Sequence, residues 1–437
     1  MTDIKPSKDI VKDHDLLGEK SIDSSHVVEL TEAEKAIEKR LVKRVDWLIM
    51  PLILTVYLLN WIDRNNYASA RLAGLEDDLN LGLTQYQTGL SILFVGGTVL
   101  PRGVVLSIGA LIAGAFGNLI AAGILEGLAG VRGLSAWRWL YILEGSVTVV
   151  AGIVVCIFLP DFPQTWRALT PEMQHVANRR LALEAAEADT DEEGVSSQLK
   201  GLKLCIADPK VWIFAFIYMG LTGAQGFGYY FPTLTRTLGY SHYISLLLVA
   251  PPHIFITVWS YVHGIVSDRF TTRYWFCLYP AVISIIGFVV FMTTDIFGPK
   301  YMTFFFMMFL MNINGTLFSW IAGVVSRPPA KRAAAYALIN SLGNSVSIWT
   351  PYTYLDKESP YFFTGIGICV GLIASAAALM TLLRFVLIRE NNRLARLENE
   401  DVQLTQKELA KLEKSAHVEG VSLSAARALQ KGFRYTI

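Results

Sequence analysis

From about residue 45 onward the chain is built of long apolar runs separated by short polar connections. About 20 consecutive apolar residues suffice to cross a bilayer as a helix. On that measure ten runs qualify as spans: 45 to 66, 85 to 101, 103 to 125, 138 to 160, 211 to 231, 243 to 266, 275 to 295, 301 to 325, 333 to 353 and 360 to 388. The stretch "SILFVGGTVLPRGVVLSIGALIAGAFGNLIAAGIL", Ser91 to Leu125, is too long for one crossing. Pro101 and Gly103 flank Arg102 inside it, and a breaker pair around a cation predicts a tight turn joining the second and third spans. Short alternating segments of the kind a closed barrel needs do not occur, so an all-α polytopic membrane protein is expected.

Charge in the connections orients these spans, because Lys and Arg favour the cytoplasmic side. The approach "EKAIEKRLVKR" is strongly basic, as are the loops at Arg102, Arg167 to Lys210, Arg269 to Arg273 and Arg327 to Arg332. The alternate loops, "EDDLNLGLTQ" and "LDKESP", are acidic or nearly neutral. Both termini are therefore expected inside. The organisation that follows is a cytoplasmic segment 1–44, a four-span bundle 45–160, a cytoplasmic linker 161–210, a six-span bundle 211–388 and a cytoplasmic tail 389–437. In the linker, Thr170-Pro171 with Glu172 behind it predicts a helix start. The tail mixes both charge signs at helical spacing, the pattern of a solvated helix.

Composition adds little beyond this. The chain has 437 residues, 53% hydrophobic and 17% charged, with a formal net charge of +1, which gives no reason to expect a nucleic-acid partner. No apolar stretch follows the initial methionine, so the first span itself is expected to direct insertion. Cys156, Cys205, Cys277 and Cys369 lack the short spacings of a metal or redox site; they read as reduced packing residues, and no metal or cofactor is implied.

Ionisable groups at membrane depth are costly and invite individual readings. In "TVYLLNWIDRNNYASA", Asn60, Asp63 and Arg64 lie on the outer part of the first span. Adjacent Asp and Arg point about 100° apart on a helix, so each needs its own partner: another helix, or the headgroups if the span ends there. Glu144 in "RWLYILEGSVTVV" suits either function or anchoring. Gln225, set among glycines in "GLTGAQGFGYYFPTL" and followed by Tyr229, suggests close helix approach around a polar cavity, or packing alone. Asn312, Asn314, Asn340 and Asn344 are interhelical glue or substrate contacts. His253 follows a Pro-Pro pair and either carries protons or satisfies a carbonyl freed by the kink. His263 and Asp268 have the H-x4-D spacing of some acyltransferases, without a nucleophile motif.

Taken together, several stretches resemble one family. "NWIDRNNYASARLAGLEDDLNLGLTQYQTGLSILFVGG" is similar to the opening of the fungal allantoate permease-like transporters, the anion:cation symporter branch of the major facilitator superfamily. The matching positions are Asp63, Arg64, Asn66, Ala70, Arg71, Leu72 and the acids Glu76 to Asp78. "AGAFGNLIAAGI" and "GLSAWRWLYILEGSVTVV" resemble that family's fifth and sixth helices, and "AKRAAAYALINSLGNSVSIWTPYTY" its eleventh. "GIVSDRFTTR" resembles the superfamily's cytoplasmic loop motif, with Arg273 one residue late.

The resemblance implies an alternating-access carrier, not an enzyme, with a site between two bundles. It implies proton symport of small organic anions such as allantoate, nicotinate or pantothenate. Asp63 takes the proton, Arg64 attracts the anion, and Asn60, Gln225, Tyr229, Asn312, Asn314 and Asn340 are candidate substrate contacts. Asp268, Arg269 and Arg273 take a gating role, Asp268 and Arg269 pairing with a neighbouring helix end in one state. A monomer in the plasma membrane is expected. One departure is large: the family has twelve helices, whereas four plus six are found here. The third and fourth, the fourth carrying an Arg and a Glu that partner the first-helix pair, have no counterpart. The segment around Arg102 then reads as a deletion joint, and a non-transporting truncated chain is the alternative.

Overall fold

The computed structural model describes residues 32–82, 84–88, 104–159, 166, 169–188, 195–270, 272–325, 329–397 and 434–436. The joint at 101–103 and most of the second expected span lie outside them. Beside two short helices at Leu75–Leu79 and Phe231–Arg236, twelve longer ones organise the described residues: α1 (Glu32–Leu72), α2 (Val104–Leu128), α3 (Ala136–Phe158), α4 (Pro171–Ala188), α5 (Val195–Ile206), α6 (Pro209–Gln225), α7 (His242–Arg269), α8 (Arg273–Thr293), α9 (Phe297–Met308), α10 (Ile313–Val324), α11 (Pro329–Ser345) and α12 (Phe363–Leu397). Among the described residues seven stretches are long and apolar enough to cross a membrane. These are α1, α3, α6 with its continuation to Arg236, α7, α8, α9 joined to α10, and α12. Residues Ile112–Leu128 of α2 form a shorter apolar stretch. The expected span 333 to 353 is α11 followed by 3₁₀ turns at Val346–Ile348 and Thr350–Thr353.

Two compact units divide the chain. In the first, residues 1–48 and 160–183, the start of α1 meets α4. Leu41, Leu169, Val176 and Ala177 bury their side chains together there. Arg179 pairs with Glu34 and Arg180 with Glu38, the latter at 3.0 Å. The second unit holds everything else, including the spans after α1. Its core is aromatic and aliphatic: Phe214, Phe227, Phe288, Phe304 and Trp320 are fully buried.

Local chemistry explains where these helices begin and how they survive their prolines. Asp208 caps α6 by accepting from the Lys210 amide at 3.0 Å, with Pro209 at the first helical position. Ser241 caps α7 in the same way. Inside α7, Pro252 has no N–H to give the Leu248 carbonyl; the Tyr301 hydroxyl donates to that oxygen instead, at 3.2 Å. Close approach is made by glycine. Gly220 of α6 lies against α12, where a Cβ would come within 2.8 Å of the Leu372 carbonyl oxygen. Gly114 of α2 likewise makes room for the His253 ring of α7.

Ion pairs and hydrogen bonds tie helix ends at both ends of the second unit. At one end, Lys331 meets Asp208 at 2.6 Å and Lys210 meets Glu390 at 2.9 Å. Lys331 and Lys210 hold the Asp208 carboxyl below its ordinary value even though burial pushes it up. The Tyr435 amide donates to the Asn391 side chain at 2.8 Å, and the Trp320 indole donates to the Thr436 carbonyl at 3.0 Å. At the other end, Asp78 accepts from Ser135 and, at 2.8 Å, from the Trp137 indole, and these bonds lower its carboxyl below the usual range. The Tyr361 hydroxyl donates to Asp295 at 2.7 Å.

Candidate functional site

Asp63 and Asn66 are three apart on α1, and Glu144 and Thr148 are four apart on α3, so each pair shares a helix face. The two faces meet. The Thr148 hydroxyl donates to Asp63 at 3.1 Å, and the Asn66 amide donates to the Glu144 carboxylate. Asn66 and Glu144 are buried, at 3% and 6% exposure, and the second Glu144 oxygen is buried without a partner. The two carboxylates stand close enough to feel one another's charge. Arg64, half-buried, interacts electrostatically with the Tyr229 phenol.

A second polar group forms where two spans are interrupted. α6 gives way to a 3₁₀ turn at Gly226–Tyr230, and α9 passes to α10 through another at Phe309–Asn312. Broken helices release backbone carbonyls, and such irregularity is tolerated at membrane depth only where partners or a cavity satisfy it. Gln225 sits at the first break and donates to the Leu310 carbonyl of the second at 3.0 Å. Its amide also exchanges hydrogen bonds with Asn314, at 3.0 and 3.1 Å. Asn312 is buried with its amide nitrogen unsatisfied.

Other sequence candidates are placed elsewhere. Asn60 is exposed. Asn340 accepts from Asn344 of its own helix, at 2.9 Å on its carbonyl and 3.0 Å on its side chain. In the loop motif, Arg273 donates to Asp268 at 2.9 Å and to Ser267 at 2.7 Å; Arg269 is exposed and takes no part in that pair. His253 engages the Val249 carbonyl at 2.9 Å, a structural role for the ring. His263 does not reach Asp268: its nitrogens meet the Tyr279 hydroxyl at 2.6 Å and the Thr316 hydroxyl at 2.9 Å. The H-x4-D spacing is therefore not an acyltransferase pair, because the turn between α7 and α8 gives Asp268 to Arg273. All four cysteines are free, and among the described residues no cluster suits a metal ion.

Sequence reasoning left Glu144 undecided and overlooked Thr148. Their four-residue spacing, opposite the Asp63–Asn66 spacing, is the signal that identifies them. Both α1 and α3 also present wide apolar faces: Trp47, Val149 and Ile157 are 77%, 64% and 70% exposed.

Apolar spans enclosing carboxylates, an arginine and paired amides at the breaks of two helices describe a multi-pass integral membrane protein of the solute-carrier kind. The family model described as Major Facilitator Superfamily matches residues 102–351, and the chain belongs to that superfamily. It is similar to an uncharacterised transporter of Schizosaccharomyces pombe, 23% identical over 455 residues that span 85% of this chain and 92% of that one. The MFS-type transporter cnsO of Penicillium expansum is 24% identical over 445 residues, covering 82% and 85%. A candidate tartrate transporter of Agrobacterium vitis is 23% identical over 429 residues, covering 79% and 92%. The chain is thus a membrane transporter of the major facilitator type with an all-α fold.

Proposed function

We propose that the protein is a proton-coupled carrier of small organic anions, working by alternating access between a four-span and a six-span bundle. The observation that carries this reading is the acid pair Asp63 and Glu144 beside Arg64, with Arg64 set toward Tyr229. A carboxylate can take up a proton on one side and release it on the other, and an arginine beside it offers a planar fork for a substrate carboxylate. Asp63 is the coupling group, Glu144 its partner, and Gln225 and Asn314 the polar wall opposite. The name of the Agrobacterium vitis relative, which concerns a dicarboxylate, supports the substrate class. Asp268 and Arg273 serve as a loop latch, the termini face the cytoplasm, and the protein sits in the plasma membrane as a monomer.

Uptake of labelled carboxylates into cells lacking their own carriers, at external pH 5 and pH 7, tests this. Asp63→Asn is expected to abolish the pH-driven component while leaving insertion and expression intact. Undiminished pH-driven uptake in that variant removes Asp63 from the mechanism.

A second reading rests on the length of the alignments. The Schizosaccharomyces pombe relative aligns over 455 residues, yet only 85% of this 437-residue chain takes part. About 80 aligned positions therefore have no counterpart here, enough for two membrane crossings and their loops. That deficit supports a chain that lacks the third and fourth helices and does not transport as written. Sequencing the transcript across the codons for Gly97 to Val105 decides it: about 80 further residues there restore twelve helices. If the transcript matches the chain, uptake above background sinks the non-transporting reading.

A further inference from the structure

Arg384 lies on α12, whose first residue is Phe363. The stretch between them is about 31 Å of helix, roughly the thickness of a bilayer's hydrocarbon core, so the guanidinium stands at headgroup depth. Tyr274 and Trp275 open α8 directly after Arg273 of the loop motif. Their rings, with centroids 5.0 Å apart and planes inclined at 66°, form a notch. The guanidinium carbon lies in it, 4.6 Å from the Tyr274 centroid and 4.9 Å from that of Trp275. The Tyr274 and Thr381 hydroxyls, 3.0 Å apart, hold the notch against α12.

This cation has no anion of its own. Among the described residues no carboxylate pairs with Arg384, and its Nε is buried without an acceptor. Acids at the same end are taken: Asp208 by Lys331, Glu390 by Lys210 and Asp268 by Arg273. Contact with aromatic faces engages the plane of the guanidinium and leaves its N–H fork for two oxygens. Trp275 is 53% exposed and Phe385, next to Arg384, 66%; at this depth such surfaces meet headgroups and acyl chains.

We infer that the notch binds the phosphate of an anionic phospholipid, Arg384 supplying the fork and the two rings holding it in place. A dissolved phosphate offers the same oxygens. The lipid is the better fit because its chains also cover the exposed aromatic edge, which a free ion leaves wet. The basic connections assign this end to the cytoplasm, the side on which anionic lipids and basic pockets between membrane helices meet. The inference holds whether or not the chain transports.

Native mass spectrometry of the delipidated full chain, titrated with phosphatidylserine or phosphatidylcholine, tests it. The parent is expected to bind its first phosphatidylserine at least several-fold more tightly than phosphatidylcholine, and Arg384→Gln to lose that preference. Arg384→Lys keeps the charge without the fork and should retain part of it. Trp275→Leu removes one ring and should weaken binding with the charge intact, so it reads the site if Arg384→Gln fails to fold. Arg132→Gln, at an exposed arginine of the acidic-loop end, should change nothing. Phosphatidylserine should also raise the thermal midpoint of the parent and not that of Arg384→Gln, whereas a purely packing role lowers the midpoint equally with and without lipid. An Arg384→Gln chain that keeps the preference, an equal loss in Arg132→Gln, or displacement of the lipid by excess inorganic phosphate overturns the assignment.

Discussion

Gly220→Ala tests the claim that glycine sets the approach of α6 to α12. A Cβ at Gly220 would sit 2.8 Å from the Leu372 carbonyl oxygen and 3.2 Å from the Ala376 Cβ. Both neighbours belong to a helix that cannot rotate them away, so the helices must part. Overpacking of this kind costs about 1–3 kcal/mol, against which alanine returns about 0.5–1 kcal/mol of helix propensity. Gly371→Ala, on α12, is the matched control: its Cβ meets nothing within 4 Å. It carries the same propensity gain, so the difference between the two variants isolates the contact at about 1–3 kcal/mol. Reversible unfolding in mixed micelles, titrated with a denaturing detergent, measures both. A Gly220→Ala protein as stable as Gly371→Ala would refute the reasoning, and with it the role of the glycine-rich run in placing Gln225.

Two further outcomes follow from particular contacts. Asp208→Asn should cost about 3 kcal/mol by leaving Lys331 in a mostly buried site without its partner. Because Asp208 is held below the ordinary carboxylate value, its contribution is present above about pH 4 and lost as pH falls through the lower folded value. The variant's unfolding free energy should therefore decline less than the parent's on acidification below pH 4. Tyr301→Phe should cost about 1 kcal/mol by stranding the Leu248 carbonyl, and much less in a Pro252→Ala background, where an N–H can return to that oxygen. A double-mutant cycle read by the same unfolding assay shows the coupling, and additive effects would rule it out.

Among the described residues hydropathy located seven long spans, because apolar length is the property that a bilayer selects. It failed to show where spans break. The 3₁₀ turns at Gly226–Tyr230 and Phe309–Asn312 lie within apolar sequence, and only the glycines and amides nearby hinted at them. Asp63 and Arg64 were visible as costly residues, yet their pairings were not, since Thr148 and Tyr229 are joined to them by tertiary packing that periodicity does not encode. Arg71 shows the same limit more sharply. In the sequence it is one letter of a family-like stretch; its bond to Asp356 exists only because the chain brings the end of α1 to the turn before α12. The residues most legible in advance were those whose cost is intrinsic, and the least legible were those whose role is a relation between distant segments. The Asp63–Thr148 and Arg71–Asp356 contacts are both relations of that second kind, made by α1 with later segments. A chain shortened between α1 and α2 keeps every residue of both, so these contacts can persist where transport does not.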